Sequence, residues 1–254
     1  MNYKKIADKI FVYNNLFINT ENTISTLLSK KSWKGWYTFG DQSLIPVPPI
    51  KFDNYPDLSD WNSYIGTEDD ILDVEKEILN IFYLTTSHYI EENKIIQDNW
   101  SMEAPHICRY FDGHGAGPEE GIGMAFHTDF PQDDIDSPGP KQKITCNMYL
   151  NDNYKGGEIV FKIFKDKDSF DRVTYKPVAG DIVIFPSTEP YYHGVNLTED
   201  GDKYFVRSFW YETFSGSERW YKGLEKYGEE DWAKIHNELR SVAQKDGRYL
   251  RDDY

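Results

Sequence analysis

From residue 143 to residue 212 the chain breaks into strand-length segments, 143–150, 157–164, 172–176, 181–186, 192–196 and 203–212, with turn residues in the gaps. β-Branched and aromatic residues fill them, as in Ile144-Thr145-Cys146-Asn147-Met148-Tyr149-Leu150 and Ile182-Val183-Ile184-Phe185. Short strands at this spacing read as an antiparallel sandwich or barrel. The period of two begins earlier, in His106-Ile107-Cys108-Arg109-Tyr110-Phe111. There His106, Cys108 and Tyr110 share one face, and Ile107, Arg109 and Phe111 share the other.

The flanks have a different rhythm. Ile10-Phe11-Val12-Tyr13 is a short strand. From Thr20 to Lys31 the spacing of Ile24, Leu27 and Leu28 predicts a helix that Thr20 can cap. Prolines 46, 48, 49 and 56 make residues 41–60 loop-like. Thr67-Glu68-Asp69-Asp70 reads as a helix start, and Ile71, Val74, Ile78 and Phe82 continue it, so a helix of roughly 25 residues is expected to pack on the sheet. From Gly216 onward the apolar positions Trp220, Leu224, Trp232, Ile235 and Leu239 again suggest helix.

Charge and cysteine content narrow the function classes. A net charge of -15 argues against a nucleic-acid scaffold, which needs clustered Lys and Arg. Cys108 and Cys146 both fall in strand-like runs and do not make a disulfide framework. The first nine residues lack the apolar core of a signal peptide, and no apolar run approaches a membrane span, so a cytoplasmic protein with no membrane or nucleic-acid partner is expected.

His127-Thr128-Asp129 places two metal-binding side chains two residues apart, on the same side of an extended backbone. His193, on another predicted strand, can supply a third ligand from across a cavity. Two imidazoles and one carboxylate make the facial triad of non-haem Fe(II) oxygenases, with the opposite face open. His88, His106, His114 and His236 have no partner at ligand spacing and read as core or surface residues. Two segments flank the ligand pair, the polar loop from Pro131 to Gln142 and the glycine-bearing stretch from Gly113 to Gly123. Loops beside a rigid scaffold often carry substrate contacts, so both are expected to rim the open face.

Residues 104–212 resemble the 2-oxoglutarate- and Fe(II)-dependent dioxygenases, most closely the prolyl 4-hydroxylase-like branch. An ordered set of motifs carries the resemblance: Arg109-Tyr110, His127-Thr128-Asp129, Tyr149-Leu150-Asn151, Gly156-Gly157-Glu158, Pro177-Val178-Ala179-Gly180-Asp181 with Phe185-Pro186, His193-Gly194-Val195 and Gly201-Asp202-Lys203-Tyr204. The resemblance implies a mainly β fold with flanking helices, built on a double-stranded β-helix (jelly-roll, cupin-like) core. It makes His127, Asp129 and His193 the iron ligands. A basic residue about ten positions past the second histidine pairs with the distal carboxylate of 2-oxoglutarate, and Lys203 stands there. Arg207 lies on the same strand face, and its planar fork suits a carboxylate, so the sequence reading favours Arg207 with Lys203 close behind. Tyr149 matches the family's carboxylate-binding tyrosine and Tyr110 a pocket tyrosine. Asn147 and Thr145 share Tyr149's face, and Phe185 and Val195 fit as apolar walls. The chain departs from the family at Met124, where a second tyrosine is common, and in a longer linker before it; both departures bear on the substrate side.

The expected whole is a single domain over 1–254: mostly helical support in 1–103, a jelly-roll catalytic core in 104–214 and a helical segment in 215–254. The implied activity is hydroxylation of a prolyl or similar residue in a peptide or protein. It requires Fe(II), 2-oxoglutarate and O2, admits ascorbate as a further requirement, and releases succinate. Two alternatives stand beside it: a hydroxylase of a free amino acid or other small metabolite, and a jelly-roll that binds a metal or ligand without turnover. Asp129 argues for hydroxylation over halogenation, since related halogenases leave that position vacant for halide.

Overall fold

The computed structural model describes residues 1–17, 19–28, 37–38, 44–46, 72–95, 100–103, 105–113, 122–129 and 141–212. In chain order these form β1 (Tyr3–Ala7), β2 (Ile10–Tyr13), α1 (Thr20–Leu28), β3 (Tyr37–Thr38), β4 (Leu44–Pro46), α2 (Leu72–Glu92), β5 (Trp100–Glu103), β6 (His106–Tyr110) and β7 (Ile122–His127). There follow β8 (Lys141–Tyr149), β9 (Lys155–Gly156), β10 (Ile159–Phe164), β11 (Phe170–Tyr175), β12 (Ile182–Pro186), β13 (Tyr191–Asn196), β14 (Thr198–Glu199) and β15 (Lys203–Glu212).

The strands form two main sheets. The larger runs β1-β2-β12-β8-β15-β5-β4, with β6 paired to β15 and β3, and the smaller runs β11-β10-β13-β7. Every pairing is antiparallel. Two antiparallel sheets agree with the sandwich or barrel expected from the spacing of short strands, and with the jelly-roll core that the resemblance implies.

Alternation along the central strands decides which side chains meet. On β8, β12 and β15, Cys146, Met148, Ile182, Ile184, Val206 and Trp210 point to one face, where α2 covers them with Ile78, Leu79, Phe82, Tyr83 and Tyr89. The intervening residues, Tyr149, Val183, Phe185 and Phe205, point into the lumen and meet Ile159, Phe161, Tyr191 and Val195 of the smaller sheet. Phe161 and Phe185 touch edge to face across it, with ring centroids 5.0 Å apart. Full burial of one such aromatic contributes about 1.5–3 kcal/mol, so each layer has a sizeable apolar drive. Cys146 lies in the helix-covered layer and Cys108 in the lumen; both are free thiols.

Differences from the sequence expectations are local. β1 was not foreseen, because Lys4 and Lys5 are exposed on an edge strand and mask its pattern. The helix α2 starts by Leu72; its expected start at Thr67–Asp70 lies outside the described residues, as do the expected helices after Gly216. Within residues 41–60, Leu44–Pro46 pairs with β5 instead of forming loop. No helix among the described residues is long and apolar enough to cross a membrane.

Candidate active site

His127 ends β7, and His193 sits at the directly opposed position of β13. Their rings are 4.5 Å apart between centroids. Asp129 follows β7 on a bend rather than on continued strand, yet its carboxylate returns to the same point. Oδ1 lies 3.6 Å from His127 Nε2, and Oδ2 lies 3.5 Å from His193 Nε2. One ligand atom from each of the three side chains falls within 4.8 Å of the others. Side-chain exposure is 39% for His127 but 7% for both Asp129 and His193, so the cluster is open on the His127 side.

The electrostatics suit a cation. Burial alone would raise the Asp129 carboxyl, but His193, His127 and a hydrogen bond from Thr145 outweigh it and hold it well below the usual carboxylate range. Burial pushes His193 down to about 4, against the pull of Asp129 and with help from His127 and Arg207. A neutral imidazole beside an ionised carboxylate is the protonation state in which these groups bind metal. The Phe185 ring meets His193 edge-on at 4.7 Å, and Phe161 lies 6.2 Å away, so apolar walls fix the imidazole plane. Val195 joins the same apolar layer.

The lumen also holds a buried lysine. Lys203 is 1% exposed. Its Nζ donates to the Gly157 carbonyl at 2.6 Å and lies 5.0 Å from the Tyr149 ring centre and 5.7 Å from that of Tyr110. No described carboxylate lies within ion-pair distance of it. Burial, with some repulsion from Lys176, pushes its pKa down to about 7 against the opposing pull of Glu158. Arg207 is less enclosed and stacks its guanidinium 4.5 Å from the Phe209 ring centre. It pairs in register with Asn147, and its charge is felt at His193 and Tyr110. Tyr149, Tyr110 and Asn147 are buried on the same lumen face.

The motifs noted in the sequence hold Lys203 in place. Asn151 donates to the Asp202 carbonyl and accepts from the Tyr204 amide, each at 2.7 Å, so it grips both neighbours of the lysine. Asp202 in turn accepts from Arg109 Nε at 2.9 Å. Gly156 and Gly157 have φ of 59° and 64°, left-handed backbone that glycine adopts freely. A Cβ on Gly156 would stand 1.9 Å from the Leu197 carbonyl oxygen, so the turn that presents the Gly157 carbonyl to Lys203 requires glycine.

Thus His127, Asp129 and His193 converge, and Lys203, Arg207, Tyr149, Tyr110 and Asn147 share one lumen. Two contacts had no strong signal in the sequence: the Thr145 bond to Asp129, and Ser187 behind it. Alternation put Thr145 on Tyr149's face but not against the carboxylate. His88 hydrogen-bonds to the Tyr13 hydroxyl, in keeping with its structural reading. The rim residues 131–140 and 114–121, and the side chains of His106 and Met124, lie outside what is described; residues 141 and 142 belong to β8 rather than the rim loop.

Residues 106–212 match the 2OG-Fe(II) oxygenase superfamily. No curated protein sequence matches the chain. Among solved structures, an oxidoreductase of the 2OG-Fe(II) oxygenase family from Burkholderia pseudomallei aligns at 14% identity and TM-score 0.37, over 53% of this chain and 56% of its own. The viral collagen prolyl hydroxylase of Paramecium Bursaria Chlorella virus-1 aligns at 16% identity and TM-score 0.49, over 81% of this chain and 91% of its own. A Trichoplax adhaerens prolyl hydroxylase, solved with a hypoxia inducible factor peptide fragment, aligns at 13% identity and TM-score 0.47, over 81% and 84%.

Proposed function

We propose, from the match of residues 106–212 to the 2OG-Fe(II) oxygenase superfamily, a 2-oxoglutarate- and Fe(II)-dependent hydroxylase acting on a prolyl or similar residue of a peptide. His127, Asp129 and His193 hold the iron, and Lys203 receives the distal carboxylate of 2-oxoglutarate. The observation that carries the reading is the pairing, in one lumen, of a three-ligand cluster with a fully buried lysine that has no described carboxylate partner. A buried cation without a counter-charge is costly, and a ligand carboxylate relieves that cost.

With Fe(II), 2-oxoglutarate and O2 bound, the site supplies an oxidation in which the cosubstrate becomes succinate and CO2 and one oxygen atom enters a substrate C–H bond. The chain's own part is placement. Asp129, ionised, and His193, neutral, present lone pairs toward a common point. Tyr149 and Tyr110 flank the Lys203 Nζ, and in this reading the Tyr149 hydroxyl shares the cosubstrate carboxylate. Phe161 and Phe185 exclude water from behind His193. Burial favours Lys203 over Arg207 as the clamp, which reverses the order that side-chain shape alone suggested. The prolyl assignment rests on the ordered motifs, above all the basic residue ten positions past the second histidine followed by Tyr204.

The test is succinate formation with Fe(II) and 2-oxoglutarate, with and without prolyl peptides and free amino acids, and a mass search of the products for added oxygen. Stimulation by a free amino acid and not by any peptide would move the substrate to the small-metabolite class. Absence of 2-oxoglutarate turnover under every condition would overturn the reading.

A further inference from the structure

We infer that Ser187 and Thr145 form a two-hydroxyl relay that sets which oxygen of Asp129 faces the metal. Both are positioning residues, and the inference rests on the reading of His127, Asp129 and His193 as iron ligands. Thr145 Oγ1 donates to Asp129 Oδ2 at 2.7 Å, and the same Oγ1 lies 2.8 Å from Ser187 Oγ.

Proton counting fixes the direction of the relay. An ionised carboxylate can only accept, and a hydroxyl carries one proton. Thr145 uses its proton on Asp129, so Ser187 must be the donor to Thr145. Ser187 and Thr145 are 0% and 1% exposed, so water does not compete for either hydroxyl. The scaffold beneath is stiff: Thr145 is registered against Phe185 on one side and Phe209 on the other, and the Ser187 amide donates to the Lys143 carbonyl at 3.1 Å.

The relay has a consequence for coordination. The Thr145 bond fixes the plane of the carboxylate and engages Oδ2, which leaves Oδ1 as the oxygen that ligates. A carboxylate held to one oxygen leaves three positions open opposite the triad. Were it to swing and bind through both oxygens, one of the positions needed by cosubstrate and O2 would be lost. Hydrogen bonds to a metal's ligands commonly tune affinity in this way.

Redox-silent Co(II) reports on the site without turnover. Thr145→Val replaces the donor by a methyl group. It should weaken Co(II) binding by roughly 10- to 100-fold, shift the d–d absorption of the Co(II) protein, and weaken 2-oxoglutarate binding to the loaded protein. Thr145→Ser keeps the donor and should restore all three; Ser187→Ala should move them in the direction of Thr145→Val by a smaller amount. Unchanged affinity and spectrum in Thr145→Val overturn the inference, and so does a Thr145→Ser protein that behaves like Thr145→Val, because then packing rather than the hydroxyl matters. If Thr145→Val does not fold, Ser187→Ala carries the same decision. An Asp129→Ala protein that keeps wild-type Co(II) affinity instead overturns the ligand assignment itself, which separates the two failures.

Discussion

His127 and His193, 66 positions apart in the chain, stand directly opposite one another on β7 and β13 with ring centroids 4.5 Å apart. A cross-strand pair is the closest approach two side chains make on one sheet face. The antiparallel register therefore delivers both imidazoles, and the bend at Asp129 adds the carboxylate.

Removing a ligand should empty the site. Asp129→Ala and His193→Ala are each expected to abolish Fe(II) binding, followed by calorimetry, and with it succinate formation. Full activity retained in His193→Ala would show that the triad is misassigned.

The clamp can be tested by near-isosteric replacement. Lys203→Met keeps the volume and removes the charge. Losing one partner of a buried charge pair costs about 2–5 kcal/mol, so the 2-oxoglutarate KM should rise roughly thirtyfold or more. Arg207→Ala should raise it less. The opposite ranking would restore Arg207 as the clamp.

Lys203 also gives the site a pH dependence. Burial holds its pKa near 7, below the ordinary 10.5, so above about 7 the free protein carries a neutral amine there. Binding an anionic carboxylate then requires uptake of a proton. The 2-oxoglutarate dissociation constant should rise above pH 7, approaching roughly tenfold per pH unit, as one linked proton requires. The free protein should show the matching stability trend. The unfolded lysine keeps its proton up to 10.5 while the folded one releases it near 7, so this contribution to stability rises with pH between the two values. Lys203→Met should flatten both profiles, in calorimetry and in denaturant melts. A 2-oxoglutarate affinity independent of pH from 7 to 9 would contradict the assignment.

The Gly156 turn should be intolerant of any side chain. Gly156→Ala combines a left-handed φ with a Cβ driven into the Leu197 carbonyl. Strain and overpacking each cost about 1–3 kcal/mol, so a loss of roughly 2–6 kcal/mol is expected in chemical denaturation. The 2-oxoglutarate KM of any protein that still folds should rise as well, because the next carbonyl holds Lys203. Wild-type stability in Gly156→Ala would mean the turn takes another shape.

The sequence by itself determined the central strands, β2, β6, β8, β10 to β13 and β15, and the likeness of its motifs to a dioxygenase core. Both are local properties: alternation and turn residues are written within a few positions, and His127, Asp129 and His193 are recognisable by type and order. It also placed Lys203 and Arg207 on one face, because four residues are two strand periods. Only the tertiary structure shows how deeply each one is buried, Lys203 fully and Arg207 in part. Alternation says which way a side chain points but not how deep in the lumen it ends, since depth depends on register between strands and on how the two sheets close. That closure seals Lys203 among Tyr149, Tyr110 and the Gly157 carbonyl and leaves Arg207 only partly buried. The Ser187–Thr145–Asp129 contact was hidden for the same reason. Its three members come from the segment after β12, from β8 and from the segment after β7, and no pattern within one segment records that their ends meet.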